Sequence, residues 1–200
     1  MKKLLREWIA LPYTTELIKE SREKNAGKLM LTGIIQKAAC PNQNHRIYPN
    51  EVLRREVQNY DKAVRERRAM GELDHPDSST ISLERVSHVI REMWWEGNDV
   101  HGRIEVLPTP NGKILETLLE SGMTIGISSR GVGSVEKTNE GIDRVQPDFQ
   151  LLCFDIVSEP STPGAFLFAE GKDISLDESR KLFAKADRIH RALNDILSKR

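Results

Sequence analysis

The sequence predicts an α+β fold in which helices surround an antiparallel β core or β-barrel. Strand-like and helix-like segments follow each other in the order β, α, several β, α, several β, α along the 200 residues. Near the middle, two β-rich runs flank Gly97, Asn98 and Asp99, which are residues suited to the tight turn of an antiparallel hairpin. A chain of this length suits a single domain with a sizeable core.

The first half of the chain predicts one strand and one amphipathic helix. The strand is the apolar, β-branched stretch at 29–38, "LMLTGIIQKA", and a loop rich in proline and asparagine follows at 40–50. The helix is predicted over 51–70, where apolar residues recur at helical spacing and one face is expected to be buried. These apolar residues are Val52, Leu53, Val57, Tyr60 and Val64.

The second half of the chain is predicted to be mainly strands. The hairpin covers 82–109, and a short helix over 111–122 ends at a glycine. Further strands are expected within 123–137 and 143–161, joined by the turn "TNEG".

Both ends of the chain are predicted to be appendages of a central domain at 29–170. Residues 1–28 are polar and predict a loosely attached arm. Residues 171–200 contain an amphipathic helix pattern over 174–199. Its apolar stripe consists of Leu182, Phe183, Ala186, Ile189, Leu193 and Ile196.

The bulk composition limits the classes of partner. The 30 basic and 30 acidic residues cancel, so we expect neither nucleic acid nor a membrane as a partner. No apolar run reaches the roughly 18 residues that a membrane-spanning helix needs. Cys40 and Cys153 lie far apart and are expected to be buried free thiols in a reducing cytosol.

The histidines do not predict a metal site, because no HxH, HExxH or CxxC spacing occurs. We therefore expect no metal and no cofactor. His45 and His190 are expected to be solvated, and His88 lies in a strand as a core or edge residue. His75 remains, in "GELDHP" at 71–76, either as a structural histidine of a polar turn or as a general base.

Two further stretches supply the partners that a catalytic histidine would need. In "GISSRG" at 126–131, strand alternation places Ser128 and Arg130 on one face, as a nucleophile with an anion-stabilising neighbour. The alternative is a small polar turn. Asp155 lies in an apolar run, where burial is costly unless the carboxylate is paired, for example with a histidine. The alternative is an edge-strand aspartate that faces water.

Together, five motifs resemble the prohead core proteases of T-even-type tailed phages. They are "RIYP", "GELDHP", "MWWEGNDVHGRIEV", "GISSRGVGSV" and "FDIVSEPSTPGAF", and they occur in one order with compatible spacing between about 29 and 168. The resemblance implies an assemblin-like fold with a β-barrel. It also implies a serine endopeptidase that cuts scaffold and capsid proteins, and itself, after glutamate in Leu/Ile-x-Glu contexts.

The resemblance places the enzyme inside the assembling prohead in the host cytoplasm, where it self-associates. His75 corresponds to the family histidine, and Asp155 to the position of its acidic or second histidine partner. Strand alternation favours Ser128 as nucleophile, whereas the pattern Ser129-Arg130-Gly131 favours Ser129. Arg130 and the backbone near Gly131 would hold the oxyanion.

Several features have more than one candidate residue in the sequence. The glutamate-recognising pocket needs a positive lining, for which Arg46, Arg85, Arg130 and Arg144 are candidates. Asp74 or Asp77 could orient His75 in place of Asp155. Self-cleavage is expected after Glu20 and Glu178, because exposed termini are cut before packed elements.

The competing functions are a non-enzymatic scaffold or core protein of the capsid and, more remotely, a hydrolase that does not cleave peptides.

Overall fold

The structure is a computed structural model that describes residues 15–139 and 141–170. Within these residues the helices are α1 (Thr15–Lys24), α2 (Asn50–Arg65) and α3 (Pro110–Glu120). The strands are β1 (Met30–Lys37), β2 (Arg46–Ile47), β3 (Met70–Glu72), β4 (Val86–Glu96), β5 (Asp99–Val106), β6 (Gly126–Val132), β7 (Val135–Lys137), β8 (Asp143–Val145), β9 (Gln150–Val157) and β10 (Leu167–Ala169).

These strands form three sheets. The largest has the order β10-β1-β5-β4-β3 with every pair antiparallel, and β6 and β9 form an antiparallel ribbon. The small sheet β2-β8-β7 contains one parallel pair, β2 with β8. Two isolated bridges connect the ribbon to the large sheet: Leu73 pairs with Ile156, and Gly126 pairs with Phe166.

The predicted combination of helices with a mostly antiparallel set of strands is confirmed. A closed barrel stays a prediction, because the connections between the sheets are single bridges rather than continuous ladders. The predicted hairpin is formed by β4 and β5, and its turn residue Gly97 has a φ of +63°. Glycine adopts this left-handed conformation without the strain that a Cβ would cause.

The amphipathic helix α2 covers the apolar surface of β9. All five residues predicted to form its apolar face are buried. Tyr60 packs edge-on against Phe154 of β9, with the ring centroids 5.6 Å apart. A feature that the apolar pattern did not predict is buried Glu56, whose Oε2 accepts a hydrogen bond from the backbone N–H of Leu151 at 3.0 Å. Helix and strand are thus joined by a polar contact as well as by packing.

Three short strands were missed by the sequence prediction. β2 lies in the segment predicted to be a loop, β3 begins at the end of the predicted helix, and β10 follows the last predicted strand. Each has only two or three residues, which is too short to show the alternation that identifies a strand. Their conformation depends on partners that are distant in the chain.

Part of the predicted loose arm is packed against the body. Ile18 and Ser21 of α1 are buried, and the Ser21 hydroxyl donates to the carbonyl of Met30 and accepts from its N–H, both at 3.0 Å. The expectation of a loose arm is therefore wrong for 15–24, because α1 satisfies the polar groups at the start of β1. The predicted helix at 174–199 lies outside the described residues.

The described part of the chain contains neither a membrane-spanning helix nor a metal-binding cluster. No helix there is both long enough and apolar enough to cross a bilayer. Nor does that part bring together a group of three or more His, Cys, Asp or Glu side chains able to hold a metal ion.

His88 is a fully buried histidine that connects β4 with β9. Its Nε2 lies 3.0 Å from the carbonyl oxygen of Phe154, and its Nδ1 lies 2.9 Å from the hydroxyl of Ser87. A neutral ring that donates from Nε2 and accepts at Nδ1 satisfies both contacts. Burial lowers the pKa of His88 to about 4. This effect outweighs the negative charge of Asp155 and the hydrogen bond to the Phe154 carbonyl, both of which raise the pKa.

This buried histidine predicts a loss of stability in mild acid. The folded protein keeps His88 neutral while the unfolded chain takes up a proton below its ordinary pKa of 6.5, so its stabilising contribution is complete above pH 6.5 and declines towards pH 4. Between pH 6.5 and 5, the free energy of unfolding should fall by about 2 kcal/mol more for the wild type than for His88→Gln. Urea denaturation at both pH values measures this, and equal losses in the two proteins would contradict it.

Candidate active site

Three segments meet at one end of the β6–β9 ribbon. They are β6, β9 and the segment that follows β3. The segment after β3 runs beside β9, where the N–H of Asp74 donates to the carbonyl of Ile156 at 2.8 Å. Gly71 makes this approach possible, because a Cβ at that position would lie 2.0 Å from the carbonyl oxygen of Phe154. Asp74 has a φ of +68°, a left-handed conformation that turns the chain immediately before His75.

Asp155 lies at the centre of this meeting point and has no exposed surface. His75 Nδ1 lies 2.8 Å from its Oδ2, and the backbone N–H of Glu72 donates to its Oδ1 at 3.0 Å. Burial alone would raise the pKa of the Asp155 carboxyl, but these hydrogen bonds and the charge of Arg130 outweigh burial and lower it. Asp155 is therefore a buried carboxylate that holds its negative charge.

The pairing with Asp155 determines which nitrogen of His75 is available for chemistry. A neutral His75 that donates from Nδ1 to the carboxylate keeps Nε2 unprotonated, so Nε2 can accept a proton. The side chain of His75 is 40% exposed, whereas its partner is buried. A carboxylate behind an accessible imidazole is the arrangement of a general base with an orienting acid.

Arg130 is the positively charged partner of Asp155. Its Nε lies 2.9 Å from Oδ2, and its Nη2 donates to Oδ1 at 3.2 Å, so the guanidinium spans both carboxylate oxygens. Nη1 donates to the backbone carbonyl of Ser78 at 2.7 Å, and Nη2 also lies 3.4 Å from Glu72 Oε1. The guanidinium is thus committed to neighbours within the protein.

Ser128 lies directly opposite Asp155 in the β6–β9 ladder. Paired residues of an antiparallel ladder project to the same face, so Ser128 shares the face of the His75–Asp155 pair. The serine is buried, and its Oγ lies 3.4 Å from the hydroxyl of Ser161. Among the described residues, the Ser161 hydroxyl and not His75 is the hydrogen-bond partner of Ser128.

Ser129 projects to the opposite face of the ribbon, where it is paired with Phe154. Its Oγ accepts a hydrogen bond of 2.6 Å from the buried amide of Gln36, whose Oε1 accepts another from Thr162. The two adjacent serines therefore have separate environments. The structure brings His75, Asp155 and Arg130 together, places Ser128 on their side, and places Ser129 on the other side.

Gly131 has a packing reason to be glycine. A Cβ there would lie 2.4 Å from the ring of Phe149 and 2.6 Å from the carbonyl oxygen of Gln150. The ladder shifts register between Arg130 and Gly131, so the strand bends at this point. The glycine predicted to lie near an oxyanion site thus also permits the bend of β6.

The arginine candidates for substrate recognition differ in their partners. Arg85 Nε lies 3.2 Å from Glu72 Oε2, and Arg130 faces both Glu72 and Asp155. Arg144 lies 3.7 Å from Glu51, with both side chains largely exposed.

The two cysteines are free, as the sequence predicts. Cys153 is buried beneath Arg130 and Asp155, and burial, reinforced by the Asp155 charge, raises the pKa of its thiol to about 12. Such a thiol is not a nucleophile at neutral pH. Cys40 is half-buried, so the expectation of burial is wrong for this residue, which follows the end of β1.

The sequence did not indicate the residues around the catalytic candidates. Glu72 lies within "GELDHP", but no spacing or local composition in the sequence distinguished it from a surface glutamate. Gln36, Ser161 and Thr162 come from β1 and from the loop after β9, and only the folded chain brings them beside the two serines.

Comparison with known proteins places this chain in a family. The model of the family described as "Prohead core protein serine protease" matches residues 15–179. The chain belongs to this family. It is 34% identical over 175 residues to the prohead core protein protease of Enterobacteria phage T4, a match that covers 86% of this chain and 82% of the relative.

A solved structure of the same kind agrees with the fold. The bacteriophage T4 capsid assembly protease superposes with a TM-score of 0.63 at 35% identity, covering 66% of this chain and 85% of that one. The segment that matches the prohead core protease family includes His75, Ser128 and Asp155. The resemblance inferred from the five motifs is thereby confirmed, and the chain is a protease by family.

Proposed function

We propose that this protein is a serine endopeptidase of phage capsid maturation, which cleaves scaffold or core proteins and capsid proteins inside the assembling prohead. The names of the T4 relatives, a prohead core protein protease and a capsid assembly protease, support this role. The observation that carries the proposal is the His75–Asp155 pair, aligned across the β6–β9 ladder from Ser128. The host cytoplasm is the expected place of action, and self-association within the prohead is part of the proposal.

In this mechanism Ser128 is the nucleophile and His75 is the general base. The Ser128 hydroxyl leaves its contact with Ser161, transfers its proton to His75 Nε2 and attacks the scissile carbonyl carbon. Asp155 holds the imidazole and stabilises the imidazolium that forms. His75 then donates the proton to the leaving amine, and water hydrolyses the acyl-enzyme by the same sequence of transfers.

We assign the oxyanion contact to backbone N–H groups near Ser129 and Gly131. One such donor contributes about 3 kcal/mol to transition-state stabilisation in serine hydrolases. Arg130 supports this arrangement indirectly, because its guanidinium is occupied by Asp155 and by the carbonyl of Ser78. Its role in this proposal is to fix Asp155.

We propose cleavage after glutamate, with Arg46 or Arg144 as the positive group that recognises the substrate side chain. Arg85 and Arg130 are less suited, because the buried carboxylates Glu72 and Asp155 already balance their charges. Arg46 and Arg144 lie on the adjacent strands β2 and β8, where Arg144 pairs with Ile47.

We further propose that the strands close into a barrel around the core. With the two isolated bridges included, the neighbours follow the circuit β10-β1-β5-β4-β3-β9-β6 and return to the segment before β10. The bridge between Leu73 and Ile156 is the closing contact beside the site.

The competing function is a non-enzymatic scaffold or core component of the capsid. A serine-directed covalent probe distinguishes the two functions, because an enzyme is labelled at Ser128 and a scaffold protein is not labelled. The His75–Asp155 pair favours the enzyme, since a buried carboxylate behind an accessible imidazole is the arrangement of a general base with its orienting acid.

The two adjacent serines supply a matched pair of variants. Ser128→Ala should abolish cleavage of a core protein from the same phage, because the nucleophilic hydroxyl is lost. Ser129→Ala should retain cleavage within about tenfold of the wild type, because its hydroxyl bonds to Gln36 on the opposite face. Initial rates of core-protein cleavage, with circular dichroism to verify folding, measure both. The opposite ranking of the two variants would transfer the nucleophile to Ser129.

Replacing the orienting acid tests the His75–Asp155 pair. Asp155→Asn should keep the fold and lower kcat by about ten-thousandfold, because a neutral amide does not stabilise the imidazolium. Steady-state kinetics on the same core protein measures the loss. A decrease below about tenfold would assign the orienting role to Asp74 or Asp77 instead.

Self-cleavage is expected after Glu20 and after Glu178. Glu20 lies in α1 between the buried residues Ile18 and Ser21, so the first cut requires α1 to leave the body. Intact-mass measurement of the active protein should show loss of 1–20 and 179–200, while Ser128→Ala should keep its full mass. An active protein that stays intact, or is cut only between 29 and 168, would rule out this processing.

A further inference from the structure

A second buried carboxylate lies next to Asp155. Glu72 has no exposed surface, and its backbone N–H already donates to Asp155. Its Oε1 accepts a hydrogen bond of 2.6 Å from the N–H of Ser82 and lies 3.4 Å from Arg130 Nη2. Its Oε2 lies 3.2 Å from Arg85 Nε, without the alignment of a hydrogen bond.

These contacts fix the loop that carries His75. The bond from Ser82 N–H to Glu72 closes the loop 73–82 on itself, and the bond from Arg130 to the carbonyl of Ser78 holds its middle. Arg85 adds a contact of 3.3 Å from Nη2 to the carbonyl of Leu73. Glu72 and Arg130 therefore hold the loop from inside the protein.

The same groups form a balanced set of charges. Asp155 and Glu72 contribute two negative charges, and Arg130 and Arg85 contribute two positive charges. When His75 accepts a proton, the set gains one positive charge beside Asp155. Without Glu72, only Asp155 would balance the charge of Arg130. The positive charge of Arg130 would then oppose formation of the His75 imidazolium, because the protein interior screens charges weakly.

We propose that Glu72 is a positioning residue for the catalytic pair, which shares the charge of Arg130 so that Asp155 can stabilise the His75 imidazolium. This inference rests on the proposed serine protease function. Glu72 acts through Arg130 and Asp155 and does not touch the substrate.

The test uses Glu72→Gln in the full chain, with a core protein of the same phage as substrate. The amide keeps an acceptor for Ser82 N–H but removes the charge. We expect kcat to fall by roughly tenfold to a hundredfold while KM changes by less than about threefold, because the charge matters when the imidazolium forms. Unchanged kcat in a folded variant would overturn the proposal.

A charge-compensating double variant separates electrostatics from packing. Glu72→Gln combined with Arg85→Gln restores the balance of charges, so its kcat should exceed that of Glu72→Gln by about fivefold. If Glu72 only held the loop, removing a second loop contact would lower kcat further. A double variant slower than the single variant would therefore contradict the proposal.

Glu105→Gln is the matched control. Glu105 is also a buried carboxylate, paired with Arg91 at 2.6 Å and with Lys28, but it lies on β5 away from the site. This variant should lose stability without loss of kcat, and an equal fall in kcat would overturn the specific role of Glu72.

Two further results keep the test decisive. If Glu72→Gln does not fold, Arg85→Gln alone should leave the set with one excess negative charge and raise kcat. A tenfold fall in kcat would contradict the proposal.

Ser128→Ala, measured in parallel, separates the proposed nucleophile from the proposed role of Glu72. An active Ser128→Ala would refute Ser128 as the nucleophile, whereas an inactive Ser128→Ala with an unaffected Glu72→Gln would refute the inference on Glu72.

Discussion

The buried charge of Asp155 is the constraint on which this structure depends. An isolated carboxylate in a protein interior costs several kcal/mol, and here it is balanced by a histidine, an arginine fork and a backbone N–H. The partners come from β3 with the segment that follows it and from β6, so the charge of one β9 residue connects three parts of the chain. Loss of any one partner would leave the carboxylate under-compensated, so stability and the proposed chemistry depend on the same contacts.

Steric constraints complement this electrostatic one. Gly71 lets β3 approach β9 closely enough for the N–H of Glu72 to reach Asp155, and Gly131 lets β6 bend around Phe149. Neither glycine would carry a side chain without displacing backbone or ring atoms. The geometry of the charged groups thus depends on two positions that carry no functional group at all.

The sequence predicted the long elements and the chemical types at the site, but not their surroundings. The hairpin and α2 were predictable because their turn residues and apolar spacing are local signals. Asp155 was identifiable because a carboxylate in an apolar run conflicts with its local context. His75 was identifiable only through the motif "GELDHP" that carries the family resemblance. Glu72, Gln36 and the strand β10 were not predictable, because their roles arise from contacts between residues far apart in the chain.

The loop after β9 touches both serines from opposite faces of the ribbon. Ser161 contacts Ser128 directly, and Thr162 reaches Ser129 through Gln36. A one-residue slip of β6 would exchange the faces of the two hydroxyls and break both sets of contacts at once. A single insertion in β6 would therefore not move the proposed reactive hydroxyl to the next position unless the loop after β9 were rebuilt as well. The geometry thus couples the register of this strand to the conformation of a loop about 30 residues further along the chain.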